Sequence, residues 1–390
     1  MWWSFLSERK VVSRLKGMGY SPTRRLASMA AQMKDVISLA GGDPDFDTPA
    51  HIKEAAIRAL QQGYTHYTPT RGFIELRKAI SDYYSKYGLK ADPNTEIMVT
   101  PGSQQALSVV MESLLNPSDE VLVPDPSYFV YGPQIRFLDG MPVPYRLDER
   151  RGYHIDIDHL KAHVTPRTKL LLICNPNNPT GTVFTNEELQ EVASVAIKHD
   201  LLVVADEIYN EFIWGGRNHS AIATIAGMRE RTIVIQSFSK TFAMTGWRLG
   251  YIIAPSALID QMEKLQGNSA LCPNASVQMA GIAALTGPWK PIAEMASEYE
   301  RRIDYMAKRL SEHSGVSCPK SEGTFYVFPK IPALSREFSD RLLKEEKVTV
   351  VAGVDFGDEG EGHIRVPVTK PIEILEKAAQ KIGALASRIR

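Results

Sequence analysis

The sequence predicts an α/β chain with a large domain on a mostly parallel sheet and a smaller α+β domain. Three observations carry this expectation. Short apolar runs end in turn or polar residues. Amphipathic stretches with helical spacing separate them. After Pro291 the alternation stops and a long charged stretch begins.

The apolar runs are 96–100, 120–124, 169–174, 201–205, 232–236 and 250–254. Their near-continuous Val, Ile and Leu content is that of strands buried on both faces. Residues 103–115 and 186–199 have helical spacing, and Thr185 precedes Glu187 and Glu188 as an N-cap. This alternation sets a large domain over 49–287. Beyond it, 292–314 reads as a long helix, 323–329 and 348–352 as strands, and a final helix starts at Ile372. The smaller domain is expected to combine 1–48 with 288–390.

Composition narrows the function. The 390 residues carry 45 basic and 45 acidic side chains, a formal net charge of +0. That balance argues against nucleic acid or an anionic membrane as main partner. Three cysteines, Cys174, Cys272 and Cys318, are too few and too scattered for a disulfide framework or a thiolate metal site, so a cytoplasmic protein without metal is expected. The apolar start, Met1 to Leu6, meets Glu8, Arg9 and Lys10 at once and does not read as a signal peptide. No apolar run approaches the roughly 18 residues of a membrane span.

In an open α/β sheet, ligands bind at the carboxyl ends of the strands. Following the runs stand Gly102, Ser103 and Gln104; Tyr128; the 175–181 turn with Asn178; Asp206 and Tyr209; and Ser237, Ser239 and Lys240, with Arg248 eight residues on. Each alone has a plain structural use as cap, turn former or surface lysine. Together they suit one ligand. A helix start with Ser237, Ser239 and Arg248 makes a phosphate cup. Tyr128 offers a face to a flat ring. Asp206 can hold a proton on a ring nitrogen, and Lys240 can form a Schiff base. That ligand is pyridoxal phosphate.

The stretch 237–250, Ser-Phe-Ser-Lys-Thr-Phe-Ala-Met-Thr-Gly-Trp-Arg-Leu-Gly, resembles the lysine signature of class I/II aminotransferases of fold type I. The segment 41–49, the Asn-Pro-Thr-Gly turn, Asp206 to Tyr209 and Arg365 fall in that family's order. The likeness is nearest to archaeal and thermophile-type aspartate/aromatic aminotransferases. It implies that Lys240 holds the cofactor and then moves protons, that Asp206 pairs with the ring nitrogen, and that Tyr209 and Asn178 bond the ring's phenolic oxygen. Gly102, Ser103, Gln104, Ser237 and Arg248 would hold the phosphate. Gly42 (through its backbone), Asn178 and Arg365 would grip the substrate carboxylate. Tyr67 resembles a residue that reaches the partner's phosphate in a homodimer. The implied reaction is ping-pong transfer of an amino group from an L-amino acid to 2-oxoglutarate.

Two departures from the family pattern stand out. Residues 266–273 lack the arginine that aspartate aminotransferases place there for a second carboxylate, and Arg365 is followed by Val366-Pro367-Val368-Thr369. A β-eliminating lyase on the same cofactor shares the same chemistry up to proton abstraction and stays open. A non-enzymatic ligand-binding regulator is disfavoured by the retained Lys240, Asp206 and Arg365. His154, Asp156 and Asp158 could share a strand face as metal ligands, but a segment entering a helix is the better reading.

Overall fold

The computed structural model describes residues 11–389 apart from Gly17; the apolar start at Met1 to Leu6 lies outside them. An eight-stranded sheet runs in the spatial order Ile97–Thr100, Gly250–Ile253, Thr232–Ser237, Leu202–Asp206, Thr168–Cys174, Glu120–Asp125, Met141–Asp148 and His154–Ile155. The central strands pair in parallel, whereas Gly250–Ile253 runs antiparallel to both neighbours.

Period-two alternation explains why these strands are continuously apolar. Leu170, Leu172, Val204 and Ile233 belong to the core on one face. Their neighbours Leu171, Ile173, Val203 and Ala205 belong to the core on the other. Helices Ser103–Leu114 and Ser256–Ser269 supply Leu107, Met111, Ile259 and Met262 to the first face. Helix Asn186–Lys198 supplies Leu189 and Val192 to the second. It begins in a capping box formed by Thr185 and Glu188.

A four-stranded sheet joins Ile37–Leu39, Val348–Ala352, Ile364–Pro367 and Tyr326–Val327. Helices Lys290–Ser311 and Ile372–Arg388 cover it with Tyr299, Ile303, Met306, Leu375 and Ile382.

The expected strands and helices of the large sheet form within a residue or two of their predicted ends. Three features differ. The strand expected over 323–329 is only Tyr326–Val327. The long helix starts at Lys290, because Pro291 fits a first turn, where its missing N–H has no acceptor to lose. The longest strand, Met141–Asp148, carries Pro142, Pro144 and Arg146 and showed no apolar run. It lies toward the sheet edge, between Glu120–Asp125 and the short outermost strand His154–Ile155.

Candidate active site

Thr100, Asp125, Cys174, Asp206 and Ser237 each end a strand of the large sheet. The antiparallel strand reaches the same edge with its first residue, since Gly250 pairs in register with both Thr100 and Ser237. Arg248, two residues earlier, therefore stands with the strand ends. A cavity of about 270 Å³ opens there, lined by Gly42, Ser103, Gln104, Tyr128, Asn178, Asp206, Tyr209, Ser239, Lys240, Arg248, Tyr326 and Arg365 among others.

One wall is an anion cradle. Helix Ser103–Leu114 starts after Gly102, and its first N–H groups have no intrahelical acceptor. Gly102 has φ +87°, and a Cβ there would stand 2.3 Å from Arg248 Nη2. Only glycine allows both that backbone and that approach. Arg248 Nη1 donates to the Thr245 carbonyl at 2.9 Å, which fixes the guanidinium beside the helix start. Ser237 sits one step back. Its hydroxyl donates to Ser239 Oγ at 2.8 Å and accepts the Ser239 N–H at 3.1 Å, while Ser239 lines the cavity.

The cavity floor is acidic and aromatic. Burial pushes the Asp206 carboxyl up to about 6, opposed by hydrogen bonds from the Tyr131 hydroxyl and the Ile208 N–H. Tyr209 Oη lies 2.9 Å from Tyr326 Oη. Burial raises both phenols, so they stay protonated across the working range. The Tyr128 phenol is pushed up to about 12 by burial.

Lys240 Nζ donates to the Gly42 carbonyl at 2.6 Å. Burial lowers its pKa to about 8; Asp43 acts in the opposite direction, and Arg365 and Arg248 assist the lowering. Arg365 is 2% exposed. Its Nη1 donates to Asn178 Oδ1 at 3.1 Å and its Nη2 to the Ala40 carbonyl at 2.7 Å. The guanidinium carbon sits 4.4 Å from the Tyr326 ring centre. Its buried Nε has no hydrogen-bond partner. An enclosed cation with donor capacity to spare, beside an amine and an anion cradle, suits an amino acid carboxylate.

Comparison with known proteins settles the family. The family model "Aminotransferase class I and II" matches residues 34–382. The chain is similar to the aspartate aminotransferase of Pyrococcus abyssi, 45% identical over 95% of this chain and 96% of the relative. It is similar to aromatic-amino-acid aminotransferase 2 of Thermococcus litoralis, 42% identical over 95% and 96%. The crystal structure of an aromatic aminotransferase from Pyrococcus horikoshii superposes with a TM-score of 0.89 at 43% identity, covering 93% of this chain and 99% of that one. The chain belongs to the class I and II aminotransferases. Its fold is type I.

Aminotransferases of this family depend on pyridoxal phosphate, and the cavity fits it. The cradle at Gly102 would be filled by any Cβ. Asp206, Tyr209, Asn178 and Lys240 supply the polar groups that a pyridine ring, its phenolic oxygen and its aldehyde require.

Some expected residues lie elsewhere in this aminotransferase. Tyr67 is 85% exposed and borders a separate hollow with His66, Cys272 and Pro273. Gln266 is fully buried and donates to the carbonyls of Thr70 and Val99, outside the cavity. The triad of His154, Asp156 and Asp158 does not converge. His154 Nδ1 bonds Glu188 at 2.8 Å, and Asp156 caps helix Ile157–Ala162. Cys174 is buried, and burial raises its thiol well out of nucleophilic range.

Sequence reasoning missed Tyr326, Thr23 and Tyr131. Tyr326 meets Gly42 so closely that a Cβ there would stand 1.9 Å from its hydroxyl. Thr23 reaches the cavity from helix Pro22–Ala30. Neither follows a strand of the large sheet, so a scan of strand ends passes over both. Tyr131 does follow one, three residues after Tyr128, and a helical-spacing argument could have found it.

Proposed function

We propose that this aminotransferase moves the amino group of aspartate, an aromatic amino acid or a similar donor to 2-oxoglutarate in two alternating half-reactions. The observation that carries the reading is the meeting, in one cavity, of the Lys240 amine, the Asp206 carboxylate, the Arg365 guanidinium and an anion cradle. The relatives in Pyrococcus abyssi and Thermococcus litoralis bear aspartate and aromatic aminotransferase names, which supports transfer over β-elimination. We further infer a cytoplasmic homodimer with Tyr67 reaching the partner's site, and a division into a domain over 49–287 and one over 1–48 and 288–390. Exposure of Tyr67 supports the first, and the two separate sheets support the second.

Pyridoxal phosphate, when bound, supplies an aldehyde for the amino group and a ring that withdraws electrons from the substrate's α-carbon. Ser103, Gln104, Ser239 and Arg248, with Gly102 at the helix start and Ser237 behind Ser239, would hold its phosphate. Asp206 would keep a proton on the ring nitrogen, Tyr209 and Asn178 would bond the phenolic oxygen, and Tyr128 would offer its face to the ring. Gly42, Asn178 and Arg365 grip the substrate carboxylate and so orient its Cα–H bond. The lowered pKa of Lys240 makes a substantial share of its amine neutral near pH 8, ready to take the α-proton and return it nearby.

The test is a panel of amino donors with 2-oxoglutarate as acceptor. Turnover that requires an oxo acid supports transfer. Release of pyruvate and ammonia from a β-substituted donor without any oxo acid would replace the reading with the lyase.

A further inference from the structure

Asp206 is held from behind by a phenol. Tyr131 is fully buried and opens helix Tyr131–Phe137. Its hydroxyl donates to Asp206 Oδ2 at 2.6 Å, while Asp206 Oδ1 accepts the Ile208 N–H at 3.3 Å. The Tyr131 ring packs edge-on against Tyr128, with centres 5.6 Å apart at 87°. Cys174, in register with Asp206 on the next strand, is its other ionisable neighbour on that side, and Glu207 follows it in the chain. Neither offers the carboxylate a donor of comparable strength. Tyr131 stays protonated because burial raises its phenol, so toward Asp206 it acts only as a donor.

We propose that Tyr131 is the positioning residue that keeps Asp206 a carboxylate aimed into the cavity, and thereby keeps the proton on the cofactor's ring nitrogen. This rests on the reading that Asp206 faces that nitrogen. A proton shared by two bases resides on the more basic one. A donated hydrogen bond makes Asp206 less basic, so the proton stays on the ring. Removing the donor leaves a buried carboxylate with one weak backbone partner, and the proton moves toward it. The ring then loses the positive charge that draws electrons from the substrate.

The experiment is 15N NMR of holoenzyme reconstituted with ring-labelled pyridoxal phosphate, at one pH, for wild type, Tyr131→Phe, Asp206→Asn and Cys174→Ala. Phenylalanine keeps the ring packing and removes only the hydroxyl. In Tyr131→Phe the resonance should move toward that of neutral pyridine. Its kcat should fall about tenfold to a hundredfold, the scale of a hydrogen bond to a charged group, with little change in the donor KM. Cys174→Ala disturbs the same packing without removing the donor and should leave the resonance in place. An unmoved resonance in Tyr131→Phe with a moved one in Asp206→Asn would overturn the role of Tyr131 alone. An unmoved resonance in both would overturn the Asp206 reading and this proposal with it. A shift in Cys174→Ala as large as in Tyr131→Phe would reduce Tyr131 to packing and also overturn it.

Discussion

On one side of the cavity, Asp206 ends a strand of the large sheet, and Ser103, Ser239 and Lys240 stand within three residues of the strand ends at Thr100 and Ser237. On the other side the walls come from segments far apart in the chain: Ala40 and Arg365, in contact, are 325 residues apart. The first wall inherits its geometry from the sheet. The second is stitched together by side chains. Lys240 bonds the Gly42 carbonyl, Thr245 bonds Asp43 at 2.5 Å, and Arg302 bonds both Asp45 oxygens at 2.8 and 2.9 Å. A buried sheet edge resists local change. A stitched segment depends on a few bonds to each neighbour. Cofactor retention should therefore track the first wall, and donor binding the second.

Lys240 belongs to the first wall by sequence and touches the second, so Lys240→Ala should give the largest effect. In the proposed reading it removes both the covalent anchor and the proton carrier, and transamination should fall to background. Residual turnover near wild type would reject its role. Asp206→Asn comes next. The cavity should still take up cofactor through the phosphate cradle. Each half-reaction should slow by several orders of magnitude, at about 1.4 kcal/mol per tenfold. Stopped-flow absorbance of the half-reactions measures this, and unchanged rates would show that another group protonates the ring.

Two glycines separate the walls directly. Gly102→Ala forces an ordinary residue into φ +87° and pushes on Arg248. With ψ 162° that backbone is essentially reserved for glycine and strains another residue by about 1–3 kcal/mol; relieving the strain displaces Arg248 and the helix start, so cofactor affinity should weaken roughly fivefold to 150-fold, with donor KM nearly unchanged at saturating cofactor. Gly42→Ala pushes instead on the Tyr326 hydroxyl. It should raise donor KM while leaving cofactor affinity within about twofold, a difference small beside 1.4 kcal/mol. If both variants change the same constant, the division into two walls fails.

The pH dependence of cofactor capture gives a smaller effect. Lys240 is lowered from 10.5 to about 8, so the neutral amine that attacks an aldehyde grows as pH rises through about 8 and levels off above it. Reconstitution of the apoenzyme should speed up about tenfold from pH 7 to that plateau. The linkage sign agrees. Between about pH 8 and 10.5 the unfolded chain holds a proton that the folded chain has released, so this group's contribution to stability rises with pH there. A rate still climbing steeply beyond pH 10 would mean that Lys240 keeps an ordinary pKa.

The same contrast explains what could be read from the sequence. Asp206, Asn178 and Lys240 were visible from local pattern, because a run of Val and Ile followed by polar residues marks a strand end. Gly42 and Arg365 had no local signal and entered only through family resemblance. Tyr326 sits on a two-residue strand that no periodicity can reveal. The strand Met141–Asp148 was hidden by its prolines and its edgeward place. What stayed illegible was fixed by contacts between distant segments rather than by local spacing.

Donor selectivity yields the smallest expected effect and bears on the second wall alone. Among the residues lining the cavity, the cations are Lys240, Arg248 and Arg365. The first two belong to the cofactor in the proposed reading, and the third to the α-carboxylate. No further lining cation is left for a side-chain carboxylate. Arg25 is paired with Asp340 at 2.8 Å, and Arg24 lies 4.2 Å over the Tyr20 ring on the exposed side of its helix. Neutral residues such as Thr23, Phe129, Val130 and Ile208 complete the lining. A pocket of neutral donors and apolar surface strands no charge when an uncharged side chain enters. Glutamate and at least one aromatic donor should therefore have kcat/KM values within about two to three orders of magnitude of each other. Steady-state kinetics with glutamate, aspartate, phenylalanine, tyrosine and alanine measure this. Arg24→Ala should change the glutamate-to-phenylalanine ratio by less than about threefold, under 1 kcal/mol. A far stronger preference for acidic donors that collapses in Arg24→Ala would mean that Arg24 swings from Tyr20 to the substrate. The same preference surviving that substitution would place the missing cation on the other subunit of the proposed dimer.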